Sequence, residues 1–176
     1  KYRNFLRWLF QTFEVSETEF RADLLARLKI TSGMKVLVVG CGLGEDVAMI
    51  QAMIGDVGEL HAQDISKAMV RAAHASFHAP NVCFSISNAL NLPYESRYFD
   101  VVFHFGGINL FGDMKTAIAE LERVCKVGGR VVFGDEGIAP HLRGTQYADV
   151  LINNNPLWAL EAPVRELPCN ATGITL

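Results

Sequence analysis

The chain has 176 residues; half are hydrophobic, a fifth are charged, and the formal net charge is −3. This length and balance are typical of one globular domain with a sizeable core. The sequence contains no run of five or six like charges, which argues against nucleic acid as a partner. It also contains no stretch of eighteen apolar residues, so we expect no membrane-spanning helix.

The cysteines are widely spaced and form no C-x-x-C motif. Cys83 lies in a predicted strand and Cys125 at a predicted helix end, so we expect both to be buried, reduced thiols. No signal peptide is visible. This cysteine usage predicts a cytoplasmic protein without a metal site.

Residues 1–30 are predicted to form two helices ahead of the first strand. Aromatic and aliphatic side chains recur at helical spacing over residues 1–14. Ser16 and Glu19 then form a capping box that starts a second helix. The aromatic helix fits either a lid over a ligand pocket or a helix packed on the edge of the sheet, and the sequence leaves both open.

The stretch that carries the chemistry is residues 35–46, Lys-Val-Leu-Val-Val-Gly-Cys-Gly-Leu-Gly-Glu-Asp. Residues 36–39 are predicted to form a strand that is buried on both faces, and residues 45–54 a helix. Between them three glycines alternate with other residues: Gly40, Gly42 and Gly44. Glycine is needed where the backbone turns sharply or where another group approaches closely. A strand, glycine loop and helix in this order hold a nucleotide-like ligand over the carboxyl end of the strand.

The glycine spacing does not fit the dinucleotide fingerprint G-x-G-x-x-G. The third glycine of that pattern would fall at Glu45 when counted from Gly40, and at Val47 when counted from Gly42. Glu45 and Asp46 also place two acids in the first helical turn, where a pyrophosphate would dock. A cationic cofactor without phosphates suits this loop better, which counts against a nicotinamide-dependent oxidoreductase.

Asp64 ends the next predicted strand, twenty residues past Gly44. An acid at this spacing typically accepts hydrogen bonds from ribose hydroxyls. The loop and the carboxylate together predict a ligand that contains a nucleoside but no pyrophosphate.

Strands and helices alternate along the middle of the chain, with further strands predicted over residues 59–63, 82–86, 100–105 and 130–134. This alternation predicts an α/β fold with a doubly wound, mostly parallel sheet. After Gly134 the pattern weakens. A helix over residues 142–151 and an irregular tail are expected within residues 141–176.

Four blocks of this sequence resemble class I S-adenosylmethionine-dependent methyltransferases of the type 11-like group. Residues 36–44 correspond to the glycine-rich motif of the family, and residues 64–69 to the segment after the second strand. Residues 88–102 correspond to the adenine loop with the fourth strand, and residues 122–132 to the entry into the fifth strand. Four blocks in the family's order, between about Arg21 and Asp135, make the resemblance specific.

The resemblance implies a Rossmann-like class I methyltransferase fold, with residues 31–140 as the S-adenosylmethionine-binding core. The family usually adds two further strands after the fifth. Because few residues remain in this sequence, we expect strands six and seven to be absent and the tail to be truncated. The fifth strand would then be an open edge and a surface for a homodimer.

The resemblance also implies S-adenosylmethionine as cofactor and S-adenosylhomocysteine as product. The glycine loop would take the methionine part, Asp64 the ribose, and Asn88 with its neighbours the adenine. Met69 also fits a core position, because it recurs at helical spacing. The full set implied to bind the cofactor is Gly40, Cys41, Gly42, Gly44, Asp64, Ile65, Met69, Asn88, Ala89, Leu90 and His104.

Two residues depart from the family pattern. Val38 stands where the family usually has an acid, and Asn88 where it usually has Asp. The amide oxygen of Asn88 can still accept a hydrogen bond, but Val38 cannot replace a carboxylate. We therefore expect weak cofactor binding, and a non-catalytic S-adenosylmethionine-binding or regulatory module with the same fold is the alternative function.

Methyl transfer from a sulfonium is an in-line displacement, so the protein mainly orients the reactants and excludes water. A general base is needed only if the methyl acceptor must lose a proton. His104, Asp135 and Glu136 are the candidates, although His104 also fits a core histidine and the two acids a solvated strand end. The aromatic residues of the candidate lid and the lack of a basic patch predict a small, partly apolar methyl acceptor.

Overall fold

A computed structural model describes residues 7, 8, 10–12, 14–135 and 137–174. Its main elements, in chain order, are α1 (Glu17–Ala26), β1 (Lys35–Val39), α2 (Glu45–Ile54), β2 (Glu59–Asp64), α3 (Lys67–Ser76), β3 (Val82–Ile86), β4 (Phe99–Phe105), α4 (Met114–Val124), β5 (Cys125–Gly134) and α5 (Gln146–Asn154). Short 3₁₀ turns follow β4, β5 and α5.

The strands form one parallel sheet in the order β3-β2-β1-β4-β5. β1 is the central strand, and its Val38 pairs with Ala62 of β2 and Phe103 of β4. This arrangement confirms the predicted doubly wound α/β fold. The order reverses between β1 and β4, so a crevice opens at the carboxyl ends of these two strands.

Apolar layers cover both faces of the sheet. Val36 and Val38 belong to a cluster formed with α1, α2 and α3, whereas Leu37 and Val39 belong to a cluster formed with α4. Because successive side chains of a strand point to opposite faces, the uninterrupted apolar run of β1 fills both layers.

β5 begins earlier than the sequence predicts. Cys125 already pairs with Phe99, and the next pair along the ladder joins Arg130 to Val101. The residues between them bulge out of the ladder, with Gly128 at φ +77°. A β-bulge of this kind has no clear hydrophobic pattern, which explains why the sequence predicts the strand only from residue 130.

The two cysteines with predicted burial behave differently. Cys125 is buried, as expected, but Cys83 is exposed. The prediction for Cys83 is wrong because β3 is an outer strand. Its neighbours Val82 and Phe84 pack against the core, and Cys83 lies on the opposite face.

Residues 137–174 form a small unit that follows the sheet. The helix predicted over residues 142–151 is present as α5, and Ile138, Ala148, Leu151 and Trp158 form its own apolar cluster. No strand occurs within residues 137–174, so β5 has no further strand beside it in this part of the chain. None of the helices among the described residues has the length and apolar content that crossing a bilayer requires.

Candidate functional site

The loop between β1 and α2 wraps tightly over the end of β1. Its three glycines adopt left-handed backbone conformations, with φ +69° at Gly40, +53° at Gly42 and +85° at Gly44. A Cβ at Gly44 would lie 3.1 Å from the Cβ of Ala73 in α3. Among the described residues, no atom lies within 4 Å of a Cβ placed at Gly42. A side chain at Gly44 would be strained by the positive φ and crowded by Ala73, whereas a ligand can approach the backbone at Gly42.

Asp64 joins the glycine loop to the end of β2. Its Oδ2 accepts a hydrogen bond from the backbone N–H of Gly42 at 3.0 Å, and its Oδ1 accepts one from the N–H of Ser66 at 2.8 Å. Each carboxylate oxygen offers more than one lone pair. The structure thus brings Asp64 and the loop together and leaves acceptor capacity for further hydroxyl groups.

Two apolar side chains beside Asp64 are exposed. The exposed fraction is 70% for Ile65 and 41% for Met69. Ser66 is the N-cap of α3, and its hydroxyl accepts a hydrogen bond from the N–H of Met69 at 3.4 Å. Val70 and Ala73 form the buried face of the helix. The interpretation of Met69 as a core residue is therefore wrong. An exposed apolar surface next to an acid that can accept from ribose hydroxyls is suited to packing against a flat nucleobase.

The segment after β3 forms a compact turn. The Asn88 side chain is exposed, and its Oδ1 accepts a hydrogen bond from the N–H of Leu90 at 3.0 Å. Ala89 is buried beneath it. The N–H of Ser87 donates to the backbone oxygen of Asp64 at 3.2 Å, so this turn is tied to the same end of the sheet. One lone pair of the Asn88 oxygen is already used, and its amide nitrogen can donate.

His104 is buried at the point where strand order reverses. Its Nδ1 lies 2.8 Å from the carbonyl oxygen of Val39. Because a carbonyl only accepts, Nδ1 carries the hydrogen and Nε2 holds a lone pair. A Cβ at Gly40 would lie 3.3 Å from Nδ1, so the ring packs directly against the start of the glycine loop. Burial lowers the pKa of His104, which keeps the imidazole neutral at pH 7.

Asp135, the acid after β5, shapes the loop that follows β4. Its Oδ1 accepts a hydrogen bond from the N–H of Gly107 at 3.0 Å, and its Oδ2 accepts one from Nδ2 of Asn109 at 3.1 Å. Sequence reasoning missed Asn109, although its position just after the glycine pair Gly106-Gly107 was a usable signal. Glu136 lies outside the described residues. The arrangement supports a positioning role for Asp135 more directly than a role as base.

Val38, where the family usually has an acid, lies inside the core. Its exposed fraction is 3%, and it belongs to the apolar cluster that also contains Ala62 and Phe103. Its side chain therefore contributes packing under the glycine loop and no polar contact.

The N-terminal segment lies beside the same crevice. The rings of Phe10 and Phe20 are 5.6 Å apart, and those of Phe20 and Phe105, the last residue of β4, are 5.8 Å apart. Arg21 of α1 also pairs with Asp46 in the first turn of α2 at 2.8 Å. These contacts hold α1 between the glycine-loop helix and the end of β4. Residues 1–6, 9 and 13 of the predicted aromatic helix lie outside the described residues.

The cysteine of the glycine loop is predicted to be unreactive. Burial, and then the charge of Asp64, raises the pKa of Cys41 to about 12, and burial raises the pKa of Cys125 to about 11. Since the thiolate is the reactive form, iodoacetamide at pH 8 should label the exposed Cys83 and Cys169 first. Peptide mass spectrometry measures this, with the urea-unfolded protein as control. Equal labelling rates at all four cysteines would contradict the described burial.

The sheet order, the glycine loop and the acid at the end of β2 place the chain among Rossmann-like α/β proteins with a nucleoside-type site. Within that class, a sequence model of the methyltransferase domain family matches residues 36–129, which is more than half of the chain. The chain therefore belongs to the methyltransferase domain family. This confirms the resemblance to class I S-adenosylmethionine-dependent methyltransferases.

Individual relatives are similar over a part of their length. The demethylmenaquinone methyltransferase of Geobacillus sp. (strain WCH70) is 31% identical over 117 residues, covering 65% of this chain and 50% of that protein. The O-methyltransferase resE of Aspergillus sclerotiorum is 27% identical over 135 residues, covering 74% and 50%. The chain thus spans about half the length of these curated relatives.

Solved structures show the same fold. The SAM dependent methyltransferase from Aquifex aeolicus has a TM-score of 0.60 at 23% sequence identity, covering 76% of this chain and 77% of that chain. At this identity the likeness establishes the fold alone.

Proposed function

We propose that this protein binds S-adenosylmethionine and transfers its methyl group to a small, partly apolar acceptor. The observation that carries the proposal is the hydrogen bond from the N–H of Gly42 to Asp64 at 3.0 Å. It joins in one site an acid at the position typical of ribose binding and a glycine loop that lacks the dinucleotide fingerprint. Membership of the methyltransferase domain family supports it.

The residues around the loop fit the three parts of this cofactor. The open backbone at Gly42 suits the methionine part, the remaining lone pairs of Asp64 suit two ribose hydroxyls, and exposed Ile65 and Met69 suit one face of the adenine. The turn at Asn88 would contact the edge of the base. When bound, the cofactor supplies a methyl group already activated on a sulfonium, so the main task of the protein is orientation, worth about 7–11 kcal/mol.

The nature of the acceptor is inferred from the residues at the end of β4. Phe10, Phe20 and Phe105 form an aromatic row there, with Phe20 still 38% exposed. Two relatives are named for methylation of demethylmenaquinone and for O-methylation. Together with the net charge of −3, this supports an aromatic or otherwise apolar acceptor, and we propose that the N-terminal aromatic segment covers it as a lid.

A module that binds the cofactor without turnover is the second candidate function. Val38 favours it, because the first strand supplies no carboxylate and the side chain is buried in the core. This candidate predicts cofactor binding with no methyl transfer to any hydroxylated aromatic acceptor. A radiolabelled-methyl screen of such acceptors separates the two functions.

Isothermal titration with S-adenosylmethionine, S-adenosylhomocysteine and NAD tests the cofactor. We expect micromolar binding of the first two, because the loop and Asp64 suit a nucleoside, and no binding of NAD, because Glu45 and Asp46 occupy the turn where its pyrophosphate would dock. Binding of NAD alone would reject the proposal in favour of an oxidoreductase.

The homodimer expected through the open edge of β5 stays a prediction. Sedimentation velocity over a wide concentration range tests it, and a monomer at every concentration would reject it.

A further inference from the structure

Two buried hydrogen-bond acceptors near the carboxyl end of β4 have no donor among the described residues. They are Nε2 of His104 and Oδ1 of Asn109. A buried acceptor without a donor costs stability. Its presence in a native structure therefore calls for a ligand or another physical explanation. Both residues border the crevice in which the proposed methyl transfer would take place.

In each of these two side chains, the hydrogen bond made by the other polar atom identifies the unpaired atom as an acceptor. Nδ1 of His104 donates to the carbonyl of Val39 at 2.8 Å, so the lone pair is on Nε2. The amide nitrogen of Asn109 donates to Asp135 at 3.1 Å, which leaves its Oδ1 to accept. The two positions therefore both require a donor, such as a hydroxyl group, and reject an anion.

Phe111 covers the histidine. The rings of Phe111 and His104 are 4.7 Å apart at an interplanar angle of 51°. Phe111 belongs to a loop bounded by glycines in left-handed conformations, with φ +80° at Gly106, +95° at Gly107 and +79° at Gly112. Phe111 itself is only partly buried and directly follows the short 3₁₀ turn Ile108–Leu110. A displacement of Phe111 would expose the imidazole to the crevice.

We propose that a hydroxyl group of the methyl acceptor displaces Phe111 and donates to Nε2 of His104, which acts as its general base, while Oδ1 of Asn109 accepts a second donor of the same molecule. This rests on the proposed function and names its substrate class, a neutral phenol that carries a second hydrogen-bond donor. The hydroxyl proton moves to Nε2. The oxygen electron pair forms the new bond to the methyl carbon, and the pair of the broken carbon–sulfur bond stays on sulfur. The imidazolium then releases its proton to solvent.

The charged groups around His104 are consistent with this role. The carboxylates of Asp135 and Asp64 both lie close enough to favour the imidazolium, although burial has the larger effect and lowers the pKa of His104. The ring is therefore neutral and able to accept a proton at pH 7. The two carboxylates would stabilise the imidazolium when it forms.

Nitrogen NMR of the protein labelled at its histidine rings tests the contact without turnover. Phenol is the probe, and anisole, which has the same ring but no hydroxyl donor, is its matched control. We expect phenol to shift the Nε2 resonance of His104 and anisole to leave it unchanged, with a larger response in Phe111→Leu, where the cover is smaller. Equal shifts with both compounds, or no shift with either, would overturn the proposal.

Two measurements on one substitution separate base chemistry from positioning. In His104→Asn the amide can keep the hydrogen bond to Val39 but supplies no atom in the place of Nε2. Because the resemblance also places His104 among the cofactor-binding residues, titration first measures the affinity of the variant for S-adenosylmethionine, and methyl transfer is then compared at saturating cofactor. Transfer to a phenolic acceptor at pH 7 should fall on the order of 100- to 10,000-fold and recover at a pH where the phenol ionises unaided. If methyl transfer by the variant had the same pH profile as that of the wild type, the role of His104 as base would be overturned. If the wild type did not bind S-adenosylmethionine, that result would count against the proposed function alone.

Discussion

Replacing Asp64 with alanine is expected to abolish measurable binding of S-adenosylmethionine. The substitution removes the carboxylate that we propose binds the ribose, and the glycine loop loses the acceptor that holds the N–H of Gly42 at 3.0 Å. Two charge-assisted hydrogen bonds correspond to about 3–6 kcal/mol, or on the order of 100- to 10,000-fold in affinity. Isothermal titration of the variant and the wild type measures the difference.

Two control variants make the Asp64 result interpretable. Asp56→Ala removes an exposed acid from the turn before β2 and should leave the affinity unchanged. Asp64→Asn keeps an oxygen for the N–H of Ser66 and should retain the fold, with an affinity between those of wild type and Asp64→Ala. Affinity in Asp64→Ala equal to that of the wild type would remove this residue from the site.

Replacing Val38 with aspartate is expected to destabilise the fold strongly at pH 8. The new carboxylate would replace a side chain that is 3% exposed in an apolar cluster, between Ala62 and Phe103 on the neighbouring strands. An uncompensated buried charge costs about 3–5 kcal/mol. The asparagine of Val38→Asn has the same size as aspartate but no charge. The difference in free energy of unfolding between the two variants, measured in urea, therefore gives the contribution of the charge.

The pH dependence of this effect has a definite sign. Apolar surroundings would raise the pKa of the new carboxyl in the folded state above its unfolded value of about 3.9. The destabilisation is then complete above the raised folded-state pKa and shrinks as the pH falls through it. Val38→Asn should show no such dependence. If Val38→Asp were as stable as Val38→Asn at pH 8 and bound the cofactor more tightly, a partner for the family's usual acid would exist in this core.

Burial was the property that the sequence predicted least well. Met69 fits a helical apolar pattern but is exposed, because Val70 and Ala73 already fill the face of α3 towards the sheet. Cys83 lies in a strand as expected, yet it is exposed because β3 is an outer strand. In both cases the local pattern identified the element, and the neighbours of that element determined which side chains are covered.

Residue types and their spacing were enough to predict the elements that form the cofactor site. The glycine alternation after residues 36–39 and the acid at the end of β2 are local requirements, since left-handed backbone and a strand-end carboxylate each depend on residue type and spacing. The parallel sheet followed from the alternation of strands and helices, because a crossover helix joins parallel strands. Residue type, spacing and the order of the elements were therefore sufficient to predict that Asp64 and the glycine loop lie together.

The contacts of the remaining polar residues in the crevice depend on parts of the chain that are far apart in sequence. The partner of His104 is the carbonyl of Val39, 65 residues earlier in the chain, and Asp135 holds Gly107, which precedes it by 28 residues. Hydrogen bonds over such separations depend on which strands become neighbours and in which register they pair, and no local pattern encodes that. For the same reason, no local pattern predicts that Nε2 of His104 lacks a donor among the described residues or that Phe111 packs against its ring, since both follow from how β1, β4 and the loop after β4 come together.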